Sequence, residues 1–233
     1  MITITGAAGF IGSALAARLN AEGFRDLVLV DDFESRPDKA RNHADRTCVE
    51  RVNRRDFSRW LQENEAQVQF VFHLGARTDT AEQDTAVFDD LNLGYSQEIW
   101  RLCHRFGLPL VYASSAATYG GGEHGYSDRH KGVAALRPLN PYGESKQQFD
   151  LWALAEAEAG RAPYFWAGLK FFNVYGPGEY HKGRMASVVF HAFNQIQATG
   201  GMKLFRSHRD DYADGEQLRD FVYVRDVVDV CHW

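Results

Sequence analysis

The stretch Ile2-Thr-Ile-Thr-Gly6-Ala-Ala-Gly9-Phe-Ile-Gly12 joins a β-branched run to three glycines that are three residues apart. The run over 2–5 predicts a strand, and apolar residues at helical spacing over Ile11–Glu22 predict a helix. Glycines in such a turn allow close approach of the backbone, and the helix N-terminus offers free N–H groups to an anion. The stretch therefore predicts a βα unit with a phosphate-binding turn.

The same alternation of strand and helix continues to residue 172. Further strands are predicted over Leu27–Asp31, Val68–His73, Leu108–Ala113 and Phe165–Phe171, and further helices over Asp56–Glu63, Ala86–Phe106 and Pro141–Ala159. Strands that alternate with helices are typical of a parallel sheet covered on both faces. We expect an α/β chain in which residues 1–172 form a Rossmann doubly wound, dinucleotide-binding domain.

Residues 173–233 do not continue this regular alternation of strands and helices. A Gly- and Pro-rich loop is predicted over 173–184, a helix over Met185–Thr199 and an acidic loop over His208–Gln217. The last residues predict a strand and then a helix that is capped by Asp226. We expect this part to supply segments of a smaller substrate-binding lobe that is incomplete, because the last helix would leave its apolar face without a partner.

Composition limits the possible partners. The 233 residues are 45% apolar with a formal net charge of −5, which excludes disordered, collagen-like and disulfide-stapled chains. A mildly acidic chain has no general attraction for nucleic acid or anionic membrane, and no apolar run approaches the ~20 residues of a membrane-spanning helix. We expect a cytoplasmic protein without a signal peptide that binds neither nucleic acid nor membranes. No metal site is expected, since the cysteines do not have the spacing of zinc sites: Cys48, Cys103 and Cys231.

An acidic pair ends the second predicted strand. Asp31 follows Gly12 by 19 residues and is itself followed by Asp32, near the position where a carboxylate contacts the ribose of a dinucleotide. Such a carboxylate accepts a hydrogen bond from the 2′-hydroxyl of NAD. Cations follow it in the sequence: Arg36, Lys39, Arg41, Arg54 and Arg55. These could neutralise the 2′-phosphate of NADP or form a solvated basic loop, so the residues leave NAD and NADP open.

Three polar residues fit the oxidation of an alcohol. Tyr142 and Lys146 are four apart in a predicted helix and share one face, and Ser115 follows a strand at the carboxyl edge of the sheet. Removing a proton from an alcohol as hydride leaves requires a base that works near neutral pH. An adjacent ammonium and an oxidised nicotinamide would acidify the phenol, and the serine hydroxyl could hold the substrate oxygen. The alternative is a surface aromatic beside a solvated lysine.

Six motifs in this order resemble the extended short-chain dehydrogenase/reductase family. They are Gly6-x-x-Gly9-x-x-Gly12, His73-Leu-Gly-Ala76, Tyr-Ala-Ser-Ser-Ala-Ala-Thr-Tyr-Gly at 112–120, Tyr142-x-x-x-Lys146, Phe-Phe-Asn-Val-Tyr-Gly-Pro at 171–177 and Arg-Asp-Phe-Val-Tyr-Val at 219–224. The resemblance covers essentially the whole chain. It implies a Rossmann domain with a C-terminal substrate lobe, and a homo-oligomer.

The segment Gly178-Glu-Tyr-His-Lys-Gly-Arg-Met-Ala-Ser187 narrows this resemblance to the nucleotide-sugar epimerases of that family that act on ADP-linked heptose. The branch implies a tightly held NADP, with hydride leaving C6 of the heptose and returning to the opposite face of a keto intermediate. It also implies two acid/bases, Tyr142 and Lys182. Ser115 would bind the reacting oxygen, and Lys146 would hold the nicotinamide ribose and tune Tyr142. From the residues alone, Lys182 could also be a flexible surface lysine.

The same analogy assigns the two binding sites residue by residue. For the cofactor it implies Gly6, Gly9, Phe10, Ile11, Gly12, Asp31, Asp32, Lys39, Arg54, Leu74, Gly75, Ala76, Arg77, Thr78, Asn92, Lys146, Val174 and Lys182. For the substrate it implies Ser115, Asn173, Arg184, His191, Phe205 and Arg219.

Two other functions compete with this interpretation. A UDP-hexose 4-epimerase would share nearly everything except the His-Lys-Gly at 181–183, and a non-catalytic NADP-binding protein would commonly lack the tyrosine or the lysine of the pair. A sugar dehydratase is disfavoured, because Ser115 is followed by Ala-Ala-Thr and not by an acidic pair that could protonate a leaving group.

Overall fold

A six-stranded parallel sheet forms the centre of the chain in the computed structural model, which describes residues 1–208, 210 and 212–233. Its order is β3-β2-β1-β4-β5-β6, with every neighbouring pair parallel. The strands are Ile2–Thr5 (β1), Leu27–Asp31 (β2), Glu50–Asn53 (β3), Phe70–His73 (β4), Leu110–Ser115 (β5) and Trp166–Phe171 (β6). The strand order reverses between β1 and β4, where open parallel sheets bind ligands at the strands' carboxyl ends. The predicted Rossmann fold is confirmed.

Helices cover both faces of the sheet. They are Phe10–Ala21 (α1), Ala40–His43 (α2), Phe57–Asn64 (α3), Thr85–Phe88 (α4), Tyr95–Phe106 (α5), Pro141–Glu158 (α6), Val188–Thr199 (α7) and Val224–His232 (α8). A π-helical segment over Asp89–Gly94 joins α4 to α5, so the single helix expected over Ala86–Phe106 consists of three parts. The widened turn carries Asn92 inward, where it is buried.

The sequence pattern did not predict β3, one strand of the central sheet. β3 reads Glu-Arg-Val-Asn, and only Val52 of the four is buried. It lies at the edge of the sheet and pairs with β2 from Val28–Glu50 to Asp31–Asn53. An edge strand with one buried side chain carries almost no alternating pattern.

The prediction of a loop over 173–184 is wrong at its start. Asn173–Tyr175 (β7) pairs in parallel with Phe221–Tyr223 (β8) to form a second, two-stranded sheet. The helix expected from Met185 begins at Val188, after a short helical turn over Gly183–Met185. The expected cap at Asp226 is also wrong, since α8 starts two residues earlier and Asp226 lies in its first turn. These segments form through contacts between distant parts of the chain, which local spacing does not show.

The apolar core has a layer on each face of the central sheet. On one face Trp100 is fully buried, and its indole N–H donates to the carbonyl oxygen of Arg161 at 2.9 Å. On the other face α1 packs against α8, with Leu15 and Val228 in the same cluster. A smaller cluster of Phe10, Val174, Val224 and Val227 joins the second sheet to α1. The division of the chain at residue 172 remains a prediction.

The described residues include all three cysteines, for which no metal site is expected. Cys103 and Cys231 are buried and Cys48 is half-buried, all as free thiols. Within the described residues, no helix combines the length and apolar character that crossing a bilayer requires, and no three His, Cys, Asp or Glu side chains group as metal ligands do.

His73 ends β4 directly beneath the glycine turn and is 2% exposed. Its Nδ1 is 2.8 Å from the hydroxyl of Thr5 and its Nε2 is 2.9 Å from the hydroxyl of Ser96. Burial lowers the pKa of His73 from 6.5 to about 3, with a smaller contribution from the charge of Lys146. The imidazole is therefore neutral in the folded chain throughout the physiological range.

We expect this histidine to make stability fall in acid. Between pH 6.5 and about 3 the unfolded chain binds a proton at His73 that the folded chain does not bind. The free energy of unfolding should therefore fall by about 1.4 kcal/mol for each pH unit below 6.5 through this group. Urea unfolding of the parent and His73→Gln across that range measures the difference in slope. The exposed His124→Gln serves as the control, and equal slopes for the parent and His73→Gln would contradict the assignment.

Candidate active site

The glycine turn after β1 is dictated by close backbone packing. Gly6 has φ of 70°, and a Cβ there would lie 2.8 Å from the Cα of Gly75, which follows β4. A Cβ on Gly12 would lie 2.2 Å from the carbonyl oxygen of Gly6. Side chains at these positions would push the turn away from the sheet, so glycine is required before any ligand is considered.

The N-terminus of α1 opens into a cleft above this turn. Gly9 precedes the helix, no side chain caps it, and its first turn contains no acidic residue. The N–H groups of the first turn are therefore free to bind an anion, and the helix dipole favours negative charge there. The cleft encloses about 460 Å³, enough for much of a dinucleotide.

Most of the residues predicted to hold the cofactor line this one cleft. They are Gly6, Gly9, Phe10, Ile11, Gly12, Asp31, Asp32, Lys39, Arg54, the segment Leu74–Thr78 and Lys182. Arg36, an open candidate for the 2′-phosphate, lines it as well. Seven further residues line it that were not predicted to contact the cofactor: Thr5, Ser35, Asp79, Leu91, Tyr95, His181 and Met185. The walls thus come from the ends of β1, β2 and β4 and from the loop that contains Lys182.

Asp31 is already engaged within the chain. Its Oδ2 accepts the N–H of Ala8 at 2.9 Å, and its Oδ1 accepts the N–H of Asp32 at 2.8 Å. The ammonium of Lys39 lies 3.3 Å from Oδ1, and both side chains are largely buried. The carboxylate therefore ties the glycine turn to the end of β2 and brings a cation to the place where the adenosine ribose would lie.

The cleft also contains polar groups that lack partners among the described residues. The phenol oxygen of Tyr95 and Nε of Arg77 are buried without a hydrogen bond, and both residues line the cleft. Buried polar atoms are costly to leave unpaired. The uncapped helix N-terminus is the feature of this cleft that fits an anionic ligand such as the pyrophosphate of a dinucleotide.

The loop over 176–187 folds around a single buried carboxylate. Glu179 is 1% exposed and accepts the N–H of Gly176 at 3.0 Å. It also accepts the N–H and the hydroxyl of Ser187, at 2.5 and 2.8 Å. These bonds close both ends of the loop on its interior and so fix where Lys182 can lie.

Asn42 fastens this loop to the glycine turn. Its carboxamide nitrogen donates to the carbonyl oxygen of Ala8 at 3.1 Å and lies 3.2 Å from Nδ1 of His181. The ammonium of Lys182 lies 5.2 Å from the centre of the Phe10 ring, at the start of α1. Burial lowers the pKa of Lys182, and the nearby Glu179 partly opposes this. Lys182 is therefore held against the cleft and is not a free surface lysine.

Ser115, Tyr142 and Lys146 meet at the carboxyl end of β5. Asn140 caps α6 by accepting the N–H of Gly143 at 2.8 Å, which places Tyr142 in the first turn. The ammonium of Lys146 donates to the carbonyl oxygen of Ala113 at 2.8 Å, and burial lowers its pKa to about 8. The helix and the strand are thereby joined at the predicted catalytic group.

The chain's own groups do not acidify the phenol of Tyr142. Burial raises its pKa, and a side-chain hydrogen bond with Ser115 only partly offsets this. The predicted acidification, by Lys146 together with an oxidised nicotinamide, remains a prediction. A phenolate here requires a further positive charge, which an oxidised nicotinamide carries.

Asn92 connects the catalytic group to the cleft without lining it. Its carboxamide oxygen accepts the N–H of Arg77 at 2.8 Å, and its nitrogen donates to the carbonyl oxygen of Arg77 and to the hydroxyl of Ser145, both at 3.0 Å. Lys146 and Val174 also lie outside the cleft lining, and Val174 packs under Phe10. Direct cofactor contact of these three residues remains a prediction.

The residues predicted for the substrate do not line the cleft. Arg184 makes an ion pair with Asp79 at 2.9 Å, and Asn173 donates to the carbonyl oxygen of Asp220 at 3.0 Å. Phe205 and Arg219 are exposed, and His191 is half-buried. Their substrate roles remain predictions.

Sequence reasoning gave no role to Asn42, Asp150, Lys170 or Glu179. Asp150 had a visible signal, since it follows Lys146 by four residues on one helix face. Glu179 lies inside the segment 178–187 that narrowed the resemblance. Asn42 and Lys170 act through contacts with distant residues, which no local pattern indicates.

The comparison with known families agrees with this geometry. A family model described as "NAD dependent epimerase/dehydratase family" matches residues 2–233. The chain belongs to this family. Membership implies a nicotinamide cofactor, and the cleft provides a fitting site for it.

Individual relatives place this family member more closely. ADP-L-glycero-D-manno-heptose-6-epimerase of Fusobacterium nucleatum is 46% identical over 237 aligned positions, and the alignment covers 100% of this chain and 70% of that protein. A Helicobacter pylori crystal structure of the same name is 31% identical with a TM-score of 0.80, covering 97% of this chain and 70% of the other. A Thermus thermophilus UDP-glucose 4-epimerase in complex with NAD is 26% identical with a TM-score of 0.74, covering 99% and 73%. The predicted relationship to ADP-heptose epimerases, and with it an enzyme of the isomerase class, is confirmed.

Glu179 offers a direct test of the loop architecture. Glu179→Ala should lower the free energy of unfolding by about 2 kcal/mol, because the N–H groups of Gly176 and Ser187 lose their acceptor. Limited proteolysis should then cut within 176–187 faster than in the parent. The exposed Glu158→Ala is the control on α6. Unchanged cleavage in Glu179→Ala would show that the carboxylate does not hold the loop.

Proposed function

We propose that this chain inverts C6 of the heptose in ADP-glycero-manno-heptose with NADP as a retained cofactor. The observation that carries the proposal is the loop over 176–187, the segment that narrowed the resemblance, which holds Lys182 against the glycine helix. The ADP-heptose epimerase of Fusobacterium nucleatum, 46% identical over the whole chain, supports the same substrate.

Three residues of the chain would take part in oxidising the C6 alcohol and in reducing the ketone again. When bound, the nicotinamide supplies the hydride acceptor and donor for the sugar carbon. Ser115 would hold the oxygen at C6 through its hydroxyl, in both the alcohol and the ketone form. Tyr142 would take the hydroxyl proton during oxidation or return one during reduction, and Lys146 beside it would stabilise the phenolate.

Lys182 would serve the second face of the same carbon. Inversion requires proton transfer at the oxygen in two orientations of the sugar, and a second acid/base would give each orientation its own group. Burial lowers the pKa of Lys182, so the amine exchanges a proton more readily than a solvated lysine does. Its loop is tied to the cleft through Asn42 and lies opposite the end of β1.

NADP is favoured over NAD by the surroundings of Asp31. The side chain already accepts two backbone N–H groups, which leaves it less free to accept a 2′-hydroxyl, and Lys39 pairs with it. Arg36 and Arg54 line the same cleft. Several cations close together can bind a phosphate dianion, which a hydroxyl does not need.

The main rival is a UDP-hexose 4-epimerase, as in the Thermus thermophilus relative. That reaction would use the same Ser115, Tyr142 and Lys146, and it offers no role for the tethered Lys182. A non-catalytic NADP-binding protein is disfavoured, because Tyr142 and Lys146 are both present at the end of β5. Cytoplasmic location and self-association are proposed on family resemblance alone.

Bound nucleotide tests the cofactor. Denaturing the purified protein should release NADP, seen by mass spectrometry as a dinucleotide with a 2′-phosphate. Lys39→Ala should lower NADP retention at least tenfold relative to NAD, because the cation beside Asp31 is lost. Release of NAD alone from the parent would refute the NADP assignment.

Substitution of the two acid/bases tests the reaction. Tyr142→Phe and Lys182→Met should each slow interconversion of the two C6 epimers of ADP-heptose by at least about a hundredfold, yet leave NADP bound. Lys203→Met, at an exposed lysine, is the matched control and should keep parental activity. Near-normal turnover in Lys182→Met would eliminate the second acid/base, and turnover of UDP-hexose alone would eliminate the heptose.

A further inference from the structure

A buried carboxylate lies behind the predicted catalytic group and has no part in the reaction described above. Asp150 follows Tyr142 by eight residues and Lys146 by four, so the three side chains lie along one face of α6. Asp150 is 5% exposed. A carboxylate at this depth is stable only when several donors surround it.

Three donors from the neighbouring strands meet this carboxylate. Oδ1 accepts the phenol of Tyr112 at 3.0 Å, and Oδ2 accepts the hydroxyl of Ser114 at 2.7 Å and the ammonium of Lys170 at 2.5 Å. Tyr112 and Ser114 are on β5, and Lys170 is on the edge strand β6. The single residue therefore joins α6 to the carboxyl ends of two strands.

The strand register makes this convergence possible. Ser114 pairs with Lys170 and Tyr112 pairs with Gly168, so these positions alternate onto the face that α6 covers. A Cβ on Gly168 would lie 2.4 Å from the Tyr112 ring. Glycine at this place leaves room for the phenol to cross toward Asp150.

The ammonium of Lys170 extends the network to the backbone of the serine that would bind substrate. It donates to the hydroxyl of Thr118 at 2.8 Å, and that hydroxyl donates to the carbonyl oxygen of Ser115 at 2.8 Å. The ammonium also lies 5.4 Å from the centre of the Tyr119 ring. Ser115 is thus braced on both sides, by Ser114 through Asp150 and by Thr118 through Lys170.

The charge of Asp150 also acts on its helix neighbours. It raises the pKa of Lys146 against the larger effect of burial, and it raises the pKa of Tyr142. The other titratable side chains around Lys146 and Asp150 are His73, Tyr112 and Tyr119, and burial and the charge of Asp150 raise the pKa of Tyr119. Burial lowers the pKa of His73 to about 3 and raises that of Tyr112 well above 10, so both are neutral near pH 7. Lys146, Asp150 and Lys170 therefore carry the charges in this group.

We propose that Asp150 and Lys170 are a pair of positioning residues that fix Tyr142 and Lys146 against Ser115 and set the electrostatic field at that group. The proposal rests on the proposed function. The geometry explains why ions occupy this place. A buried ion pair contributes little stability compared with an apolar pair of equal volume, whereas this pair links α6, β5 and β6 at the catalytic group. Neither side chain lines the cofactor cleft.

Three variants separate positioning from structural support. Asp150→Asn removes the negative charge, which should lower the pKa of Lys146 by half a unit or more. Lys170→Met leaves the carboxylate without its cation and should raise that pKa. The double variant should return it toward the parental value. The ion pair of the half-buried Glu156 and the exposed Arg161 at the end of α6 provides the control, Glu156→Gln, which should leave the pKa of Lys146 unchanged.

The first measurement needs no substrate. A ¹³C NMR titration of labelled lysine Cε resonances, with the Lys146 signal assigned through Lys146→Arg, reports the pKa directly on the full chain. Opposite shifts in the two single variants support the proposal. Equal titration in all variants, with only a lowered Tm, overturns it and leaves the pair as structural support.

The second measurement is the pH profile of ADP-heptose epimerisation. Each single variant should lower kcat at least tenfold with KM changed less than threefold, and the limb of the profile should move in the direction of the Lys146 shift. Lys170→Arg should restore most of kcat, because it keeps the charge. Parental kcat in both single variants overturns the proposal.

If the parent protein does not turn over ADP-heptose, the proposed function fails. The NMR titration then still decides whether Asp150 and Lys170 set the electrostatic field at Lys146. Should Asp150→Asn not fold, Lys170→Met and the double variant make the same comparison.

Discussion

The close approach of Gly6 to Gly75 is the constraint on which the rest of the structure depends. The turns after β1 and β4 lie so close together that a Cβ added to Gly6 would be 2.8 Å from the Cα of Gly75. This contact is at the point where the strand order reverses. Only glycine fits there, and only then can α1 point its N-terminus into the cleft. The carboxylate of Asp31 and the imidazole of His73 complete this junction from the two flanking strands, through Ala8 and Thr5.

Buried polar side chains hold the functional segments in place around that junction. Asn92 joins the segment after β4 to α6, Glu179 closes the loop of Lys182, and Asn42 ties that loop to the glycine turn. Each has several partners, so its burial is compensated within the fold. The loops around the cleft therefore owe their order to directional contacts more than to apolar packing, which suits a site that must admit a polar ligand.

Burial shifts the pKa values of the candidate catalytic residues more than neighbouring charges do. Burial lowers the pKa of Lys146 and Lys182 and raises that of Tyr142, so it disfavours the charged form of all three side chains. A lysine whose pKa is lowered in this way exchanges protons more readily near neutral pH than a solvated lysine does.

The sequence by itself determined the parallel α/β architecture, the glycine turn, the catalytic Ser115, Tyr142 and Lys146 as candidates, and the family. Those features depend on residues close in the chain, where spacing reports directly on strands, helices and tight turns. Tertiary structure decided what distant segments do to one another. Pairing of β7 with β8, the edge strand β3, the burial of Glu179 and the contact of Asp150 with Lys170 arise between segments that meet only when the sheet is assembled. A hydrogen bond or an ion pair between residues far apart in the chain produces no periodic pattern in the sequence. Each partner is a single residue, and its environment depends on the other.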